Sequence, residues 1–183
     1  VNDDVAVENS TYTTGRRGVA GTLVVEKIVG AAAERGDGLV ALKALGDGVN
    51  KATASMGVAL TSCTVPAAGK PTFQIGNDEM EMGVGIHGEP GRRRVKLGSA
   101  DAIAAELLGS ILKDLSMKRG QETILLVNGF GGTPMLELYL MVTAAHKVLD
   151  SAGIKVARHL TGSYVTSLEM AGCSISVTAV DAE

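Results

Sequence analysis

The chain has 183 residues, 45% hydrophobic and 20% charged, which is enough for one domain with a substantial core. Its net charge is −3 and only 3% of its residues are aromatic, which argues against the basic, stacking surface of a nucleic-acid binder. No signal peptide opens the chain and no apolar run approaches the ~18 residues of a membrane span, so we expect a cytoplasmic protein without membrane partners.

The first 56 residues carry the hydrophobic spacing of two helices. One helix is predicted over residues 19–36 and a second over residues 39–56, with Asp37 as its N-cap. We interpret residues 1–56 as a helical segment that either ends a preceding, mostly missing domain or packs on the domain that follows.

From residue 57 the pattern changes to buried strands that alternate with helices. Two adjacent pairs of strands have no helix between them, which indicates a mixed sheet. The predicted fold is therefore α/β, with helices packed on a mixed sheet over residues 57–183 and two helices ahead of it. Strands are predicted over 58–65, 80–87, 123–128, 154–157 and 173–180. One helix is predicted after its cap Ser99, and another with Thr133 as its cap and Pro134 at its first helical position, ending at Gly153.

Two cysteines occur, Cys63 and Cys173, each within an apolar run. They show no metal-ligand spacing such as C-x-x-C, so no metal site is expected from them. We expect buried, reduced thiols, with a disulfide as the less favoured alternative.

The segment from Gly83 to Gly91, GVGIHGEPG, sets His87 in a run of glycines at the end of a predicted strand. Glycine lets a ligand approach the backbone closely, and imidazole has a pKa near neutral pH. By itself the segment predicts either a reactive histidine or a tight turn whose histidine caps a carbonyl. It also matches G-x-G-x-x-G, but Glu89 and Pro90 follow, where a dinucleotide site needs a helix to begin, so we reject that reading.

Carboxylates precede His87 in the predicted strand. Alternation places Glu79, Glu81 and His87 on one face if no bulge intervenes. A carboxylate there would fix the tautomer of the imidazole, and a solvated strand edge is the alternative.

Three further features could be functional sites, but for each we favour a purely structural role. Residues 128–133 lead from a strand through glycines to a helix start, which is either an anion site or, as we favour, a tight connection. Residues 92–94 are consecutive arginines that would meet a phosphate or an acidic partner, with a solvated loop as the favoured reading. His146 and His159 are expected to be surface or packing residues.

Several segments match one known family and together span nearly the whole chain, apart from residues 92–122. On these segments the chain resembles the C-terminal portion of the substrate-binding (K) subunit of dihydroxyacetone kinase. The matching segments are residues 3–7, 15–20, 26–37, 63–71, 77–91, 128–134, 137–139 and 162–172.

The resemblance implies that His87 bonds covalently to the carbonyl carbon of dihydroxyacetone as a hemiaminal, within a substrate-binding loop that includes Gly85 and Gly88. The ketone would then be phosphorylated to dihydroxyacetone phosphate. This chain would bind no cofactor or metal, because ATP and Mg²⁺ belong to the nucleotide-binding L subunit or domain. A homodimer is expected of the full-length protein.

The family carries its acid/base residues in an N-terminal part that these residues lack, so the isolated chain is expected to have little or no kinase activity. The phosphoryl donor, ATP or a phosphotransferase-system phosphoprotein, stays open. Two alternatives also stay open: a non-catalytic homologue that binds the ketone and regulates transcription or a partner enzyme, and a carrier phosphorylated on His87.

Overall fold

The computed structural model describes residues 1–8, 15–85 and 91–180, and over these residues the chain forms one six-stranded sheet with four helices. His87 and Gly88 lie outside the described residues. The elements are α1 (Gly21–Glu34), α2 (Leu39–Lys51), β1 (Thr53–Ala59), β2 (Glu79–Met82), β3 (Arg93–Lys96), α3 (Ala100–Asp114), β4 (Glu122–Gly129), α4 (Met135–Ala152), β5 (Lys155–Gly162) and β6 (Gly172–Val180).

The strands lie in the order β3-β2-β1-β6-β4-β5. β4 and β5 are parallel, and α4 supplies the crossover that parallel neighbours need, whereas all other neighbouring pairs are antiparallel. The predicted α/β fold, with a mixed sheet preceded by two helices, is confirmed.

One face of the sheet packs against α3 and α4 and forms the main apolar core. Side chains alternate along each strand, so every second residue of β1, β4 and β6 enters this core. Burial of such side chains is the main term that favours folding. The strand residues in this core include Met56, Val58, Leu125, Val127, Ile175 and Val177.

The opposite face carries hydroxyl groups at its centre. The hydroxyl of Ser55 donates to that of Ser176 at 2.6 Å, and the hydroxyls of Thr53 and Thr178 are 2.8 Å apart, so each of these four hydroxyls has a cross-strand partner. Beside them Leu126 of β4 forms a small apolar cluster with Val24 of α1 and its neighbours. α1 therefore packs on the side of the sheet opposite to α3 and α4.

The elements with strong local signals are confirmed. Ser99 caps α3, and its side chain accepts a hydrogen bond from the backbone N–H of Ala102 at 3.2 Å. Gly153 ends α4 in the left-handed conformation, with φ at 72°. Cys63 and Cys173 are free and buried, and burial raises the pKa of Cys173 to about 12.

Three predicted details at helix ends are wrong. Met56 does not belong to a helix, because α2 ends at Lys51 and Met56 pairs with β6 in a fully buried strand. Asp37 does not cap α2; Gly38 takes the N-cap position, and the Asp37 carboxylate accepts from Arg35. Thr133 does not cap α4, because its hydroxyl bonds to Gly172 of β6, and Pro134 takes the N-cap position rather than the first helical position.

The strand boundaries also differ from those predicted. β1 begins earlier, at Thr53, and the chain leaves the sheet after Ala59, so residues 60–65 are not a strand. β2 ends at Met82 and does not extend toward His87. The predicted division between residues 1–56 and 57–183 lies within β1. Among the described residues no helix has the length and apolar character needed to cross a membrane.

Candidate functional site

The candidate site is the connection between β2 and β3, which we call the histidine loop (residues 83–91). The structure describes both ends of this loop, residues 83–85 and Gly91, and Gly85 is buried there. In the sequence, His87 lies four residues after Gly83 and four before Gly91.

Gly83 begins the loop with a left-handed backbone, φ 77°. Its N–H donates to the carbonyl of Gly57 at 2.6 Å, and its carbonyl accepts from Nη2 of Arg17 at 2.7 Å. A Cβ on this residue would lie 2.5 Å from the Cβ of Ala6. Glycine is required here for both reasons, because other residues rarely adopt this φ and have no room for a side chain.

Arg17 is itself held by a buried ion pair with Asp4. Nε and Nη2 of Arg17 lie 2.8 and 2.7 Å from Oδ2 of Asp4, and the two residues are 6% and 1% exposed. Burial raises the pKa of the Asp4 carboxyl above its usual value, and the Arg17 guanidinium acts in the opposite direction. Losing either partner would leave a buried charge uncompensated.

The returning end of the loop is held by a second buried carboxylate. Oε1 of Glu81 accepts from the backbone N–H of Gly91 at 3.1 Å, and Oε2 accepts from Nε of Arg94 at 3.0 Å. Arg92 N–H also donates to the carbonyl of Met82 at 2.5 Å. A Cβ on Gly91 would lie 2.3 Å from that carbonyl oxygen, so this end of the loop also needs glycine.

The three consecutive arginines lie beside this returning end. Arg93 and Arg94 belong to β3, which the sequence did not predict, and they form ion pairs with Glu106 and Glu81. Arg92 is exposed and forms no ion pair with another described residue. The segment is thus an edge strand with paired charges rather than a solvated loop, and such charges protect an edge against pairing with other chains.

The glycine-rich connection after β4 supports the core of the fold. The side chain of Asn128 bonds to the backbone of Tyr164 and Val165, and the Thr133 hydroxyl both donates to and accepts from the backbone of Gly172 at 2.7 Å. These polar side chains are occupied within the fold. The structure therefore supports a tight strand-to-helix connection over an anion site.

Phe130, in the same connection, packs against Val84 of the histidine loop. It is buried with Val84, and a Cβ on Gly57 would lie 2.8 Å from its ring. Gly57 in turn accepts the hydrogen bond from Gly83. The loop therefore begins on a packed base that includes an aromatic ring.

The remaining histidines belong to neither end of the loop. The rings of His146 on α4 and His159 on β5 lie 6.2 Å apart in an edge-to-face arrangement. This contact and the exposure of His159 fit the prediction that they are packing or surface residues. In the described part of the chain, no group of three or more His, Cys, Asp or Glu residues could hold a metal ion.

A surface cavity of about 710 Å³ opens between residues 60–62 and 71–77, ahead of β2. Its hydroxyl groups bond within the fold: that of Ser62 contacts Thr72 and the N–H of Phe73, and that of Thr61 accepts from Ala171. None of the residues that line the cavity carries a charge, and the hydroxyls of Thr61 and Ser62 are already paired.

Comparisons with known proteins find one family and several relatives that match the chain. The model of a family described as the Dak1 domain matches residues 1–183. The dihydroxyacetone-binding subunit of the PTS-dependent dihydroxyacetone kinase 1 of Listeria innocua is 49% identical over the whole chain, which covers 56% of that relative.

Two solved structures show the same fold. The dihydroxyacetone kinase operon co-activator Dha-DhaQ superposes with a TM-score of 0.90 at 33% identity, over 98% of this chain and 56% of its own. The dihydroxyacetone kinase of C. freundii in complex with AMP-PNP and Mg²⁺ gives 0.85 at 28% identity, over all of this chain and 33% of its own. The chain thus spans little more than half the length of the curated subunit that it matches.

Proposed function

Because the chain belongs to the Dak1 domain family, we propose that it is the substrate-binding part of a dihydroxyacetone kinase. It holds dihydroxyacetone for phosphorylation to dihydroxyacetone phosphate. The observation that carries this proposal is the anchoring of both ends of the His87-bearing loop by buried carboxylates, one acting through Arg17 and one directly from Glu81. A loop fixed in this way suits a residue that must meet a small electrophile in one orientation.

His87 is the proposed covalent residue. A neutral imidazole nitrogen attacks the carbonyl carbon, a C–N bond forms, and the carbonyl oxygen becomes a hydroxyl as the imidazole loses its N–H proton, so no group leaves. Gly85 and Gly88 allow the ketone to approach the backbone because they lack a Cβ. Glycerol has no carbonyl and forms no such bond, so the reaction selects the ketone.

The captured ketone keeps a free terminal hydroxyl as the phosphoryl acceptor. The nucleotide and Mg²⁺ that supply the phosphoryl group belong to an L subunit or domain, and none is proposed on this chain. The bound AMP-PNP and Mg²⁺ of the C. freundii kinase, a chain three times as long as the matched part, support this division. In-line transfer depends mainly on positioning and charge stabilisation, so this chain contributes the position of the acceptor.

The assembly around the chain is also proposed. We place it in the cytoplasm as part of a homodimer, with an L partner that is charged either by ATP or by a phosphotransferase-system protein. The isolated chain is expected to be inactive as a kinase, because the acid/base residues are assigned to the part of the relatives that it does not span.

Residues 1–56 are proposed to contact that further part of the full-length protein. α2 contributes no buried residue, and Leu39 and Val40 at its start are 82% and 86% exposed. Exposed apolar side chains on one helix indicate a surface that is covered in the complete protein. The segment also packs on the domain described here, because α1 contacts the sheet.

The test uses the full-length protein and dihydroxyacetone labelled isotopically at its carbonyl carbon. NMR is expected to show the labelled carbon change from a ketone to a tetrahedral carbon on binding. His87→Ala is expected to abolish this signal, and His159→Ala, which alters an exposed histidine on β5, is expected to retain it. A bound ketone with an unchanged carbonyl signal would contradict covalent capture, and acid-labile phosphate on His87 would favour the carrier alternative.

A regulatory homologue is the second candidate, because the co-activator Dha-DhaQ has the same fold at 33% identity. Both candidates bind the ketone, so binding does not separate them. Steady-state phosphorylation by the full-length protein with its L partner does: turnover supports the kinase, and capture of the ketone without turnover supports the regulator.

A further inference from the structure

Asp4 holds two of the groups that surround Gly83, namely Ala6 and Arg17. One carboxylate oxygen of Asp4 accepts from the N–H of Ala6 at 2.9 Å, and the other accepts from Arg17. Ala6 packs where a side chain of Gly83 would lie, and Arg17 donates to the Gly83 carbonyl. Asp4, Ala6, Arg17 and Gly83 form one connected unit, which we call the Asp4 clamp.

We propose that Arg17 is a positioning residue for the histidine loop, and that the Asp4 clamp sets the direction in which the chain leaves β2 toward His87. This inference rests on the proposed function. The peptide groups on both sides of Gly83 are fixed, one through its N–H to Gly57 and the other through its carbonyl to Arg17. The bond between His87 and the ketone forms only when the imidazole nitrogen and the carbonyl carbon are correctly oriented, so a change of direction at Gly83 weakens capture of the ketone.

The chemistry of arginine explains why this residue type is needed. Its planar guanidinium carries donors in a rigid fork, so Nε and Nη2 contact Asp4 while Nη2 also reaches Gly83. Lysine carries a single ammonium on a flexible stem, which compensates the charge of Asp4 but does not reproduce the fixed bond to Gly83. Arg17→Lys therefore separates positioning from charge compensation.

The chain offers a matched control in the preceding residue. Arg16 pairs with Asp114 near the surface, through Nη1 at 2.9 Å and Nη2 at 2.5 Å, and its side chain is 33% exposed. It makes no described contact with the histidine loop. Arg16→Lys changes the same residue type in the same segment and leaves the Asp4 clamp intact.

The experiment compares the full-length parent, Arg17→Lys and Arg16→Lys. The dissociation constant for dihydroxyacetone is measured by NMR with the carbonyl-labelled ketone, hydrogen exchange is followed in peptides that contain residues 83–91, and folding is followed by urea unfolding. Turnover with the L partner and its phosphoryl donor separates KM from kcat.

Arg17→Lys is expected to weaken ketone binding by about tenfold to a hundredfold and to raise KM, while kcat at saturating ketone stays within about twofold. Exchange in residues 83–91 is expected to be faster without a matching change in α4. Arg16→Lys is expected to match the parent in all four measurements. Arg17→Ala, if it folds, is expected to regain ketone binding when free guanidinium fills the vacated position.

The outcomes separate the two proposals. A parent that does not bind the ketone contradicts the proposed function. A parent that binds it, with Arg17→Lys showing parental exchange in residues 83–91 or parental affinity, contradicts the positioning role alone. A loss of affinity that appears only in variants whose urea midpoint also falls likewise contradicts it, because Arg17 would then act on the stability of the whole fold.

Discussion

The carboxylate of Glu81 accepts a hydrogen bond from the backbone N–H of Gly91 at 3.1 Å, so a side chain of β2 holds the point where the histidine loop returns to the sheet. Glu81 is only 7% exposed, and its second oxygen is occupied by Arg94. The sequence places Glu81 near His87 as a possible partner of the imidazole. The structure assigns the same carboxylate to the backbone of the loop.

Replacing Glu81 is expected to loosen the returning end of the loop. Glu81→Ala leaves the N–H of Gly91 without its acceptor, which is expected to lower the free energy of unfolding by about 1–3 kcal/mol. Glu81→Gln keeps an acceptor oxygen and is expected to cost less. Urea unfolding measures both, and Glu106→Ala, which removes a more exposed ion pair with Arg93, is the control. Equal losses for Glu81→Gln and Glu81→Ala would show that charge, not the bond to Gly91, is what matters.

Atoms crowd the position where a side chain of Gly83 would lie. Replacing Gly83 by alanine is therefore expected to lower the free energy of unfolding by more than its left-handed backbone alone would predict. Gly69 also has a positive φ, 61°, but an added Cβ there would have no atom within 4 Å. Gly69→Ala is expected to cost about 1–2 kcal/mol from the left-handed backbone alone. Gly83→Ala is expected to cost about 1–3 kcal/mol more, because its Cβ would overlap that of Ala6.

The double variant Ala6→Gly/Gly83→Ala tests the cause of this difference by urea unfolding. Removing the methyl of Ala6 is expected to restore much of the stability lost in Gly83→Ala, which is a non-additive effect typical of residues in contact. If the losses from the two single variants simply add, the contact with Ala6 is not the source of the cost.

Local signals in the sequence were enough for much of the fold. The cap at Ser99 and the left-handed Gly153 depend on residues within a turn of each other, and both are confirmed. β3 was missed because its arginines are stabilised by Glu81 and Glu106, which lie on other elements. Residues 53–56 were predicted to end a helix because their hydrophobic spacing continues that of α2. They form a strand instead, because pairing with β6 along all of β1 outweighs their weak helical propensity.

The contacts that anchor the ends of the histidine loop could not be predicted from local sequence signals. The sequence singled out the glycine-rich loop and His87, and Asp4 and Arg17 appeared there only within segments of family resemblance. No spacing rule connects them, because Arg17 is 13 residues from Asp4 and 66 from Gly83 along the chain. Only the folded backbone brings these three residues together.

The burial of Cys173 predicts an unreactive thiol. Its pKa is raised to about 12 by burial, and the thiolate is the nucleophile in alkylation, so iodoacetamide at pH 8 is expected to leave it unmodified in the folded protein. Mass spectrometry is expected to detect modification once urea unfolds the chain, which serves as the control for reagent activity. Rapid modification of Cys173 below the unfolding transition would mean that β6 opens locally.

We expect the buried hydroxyls of Ser55 on β1 and Ser176 on β6 to be strongly coupled in a double-mutant cycle of the free energy of unfolding. Ser55 and Ser176 are directly opposite each other, both almost fully buried, and their hydroxyl oxygens are 2.6 Å apart. Each single change to alanine is expected to cost about 1–3 kcal/mol, because it leaves the remaining hydroxyl without this partner in a buried site. Ser55→Ala/Ser176→Ala removes both groups and is expected to be less destabilised than the sum of the singles. Urea unfolding of the four proteins gives the coupling energy, and a value near zero would mean that water or another group satisfies the hydroxyl that remains.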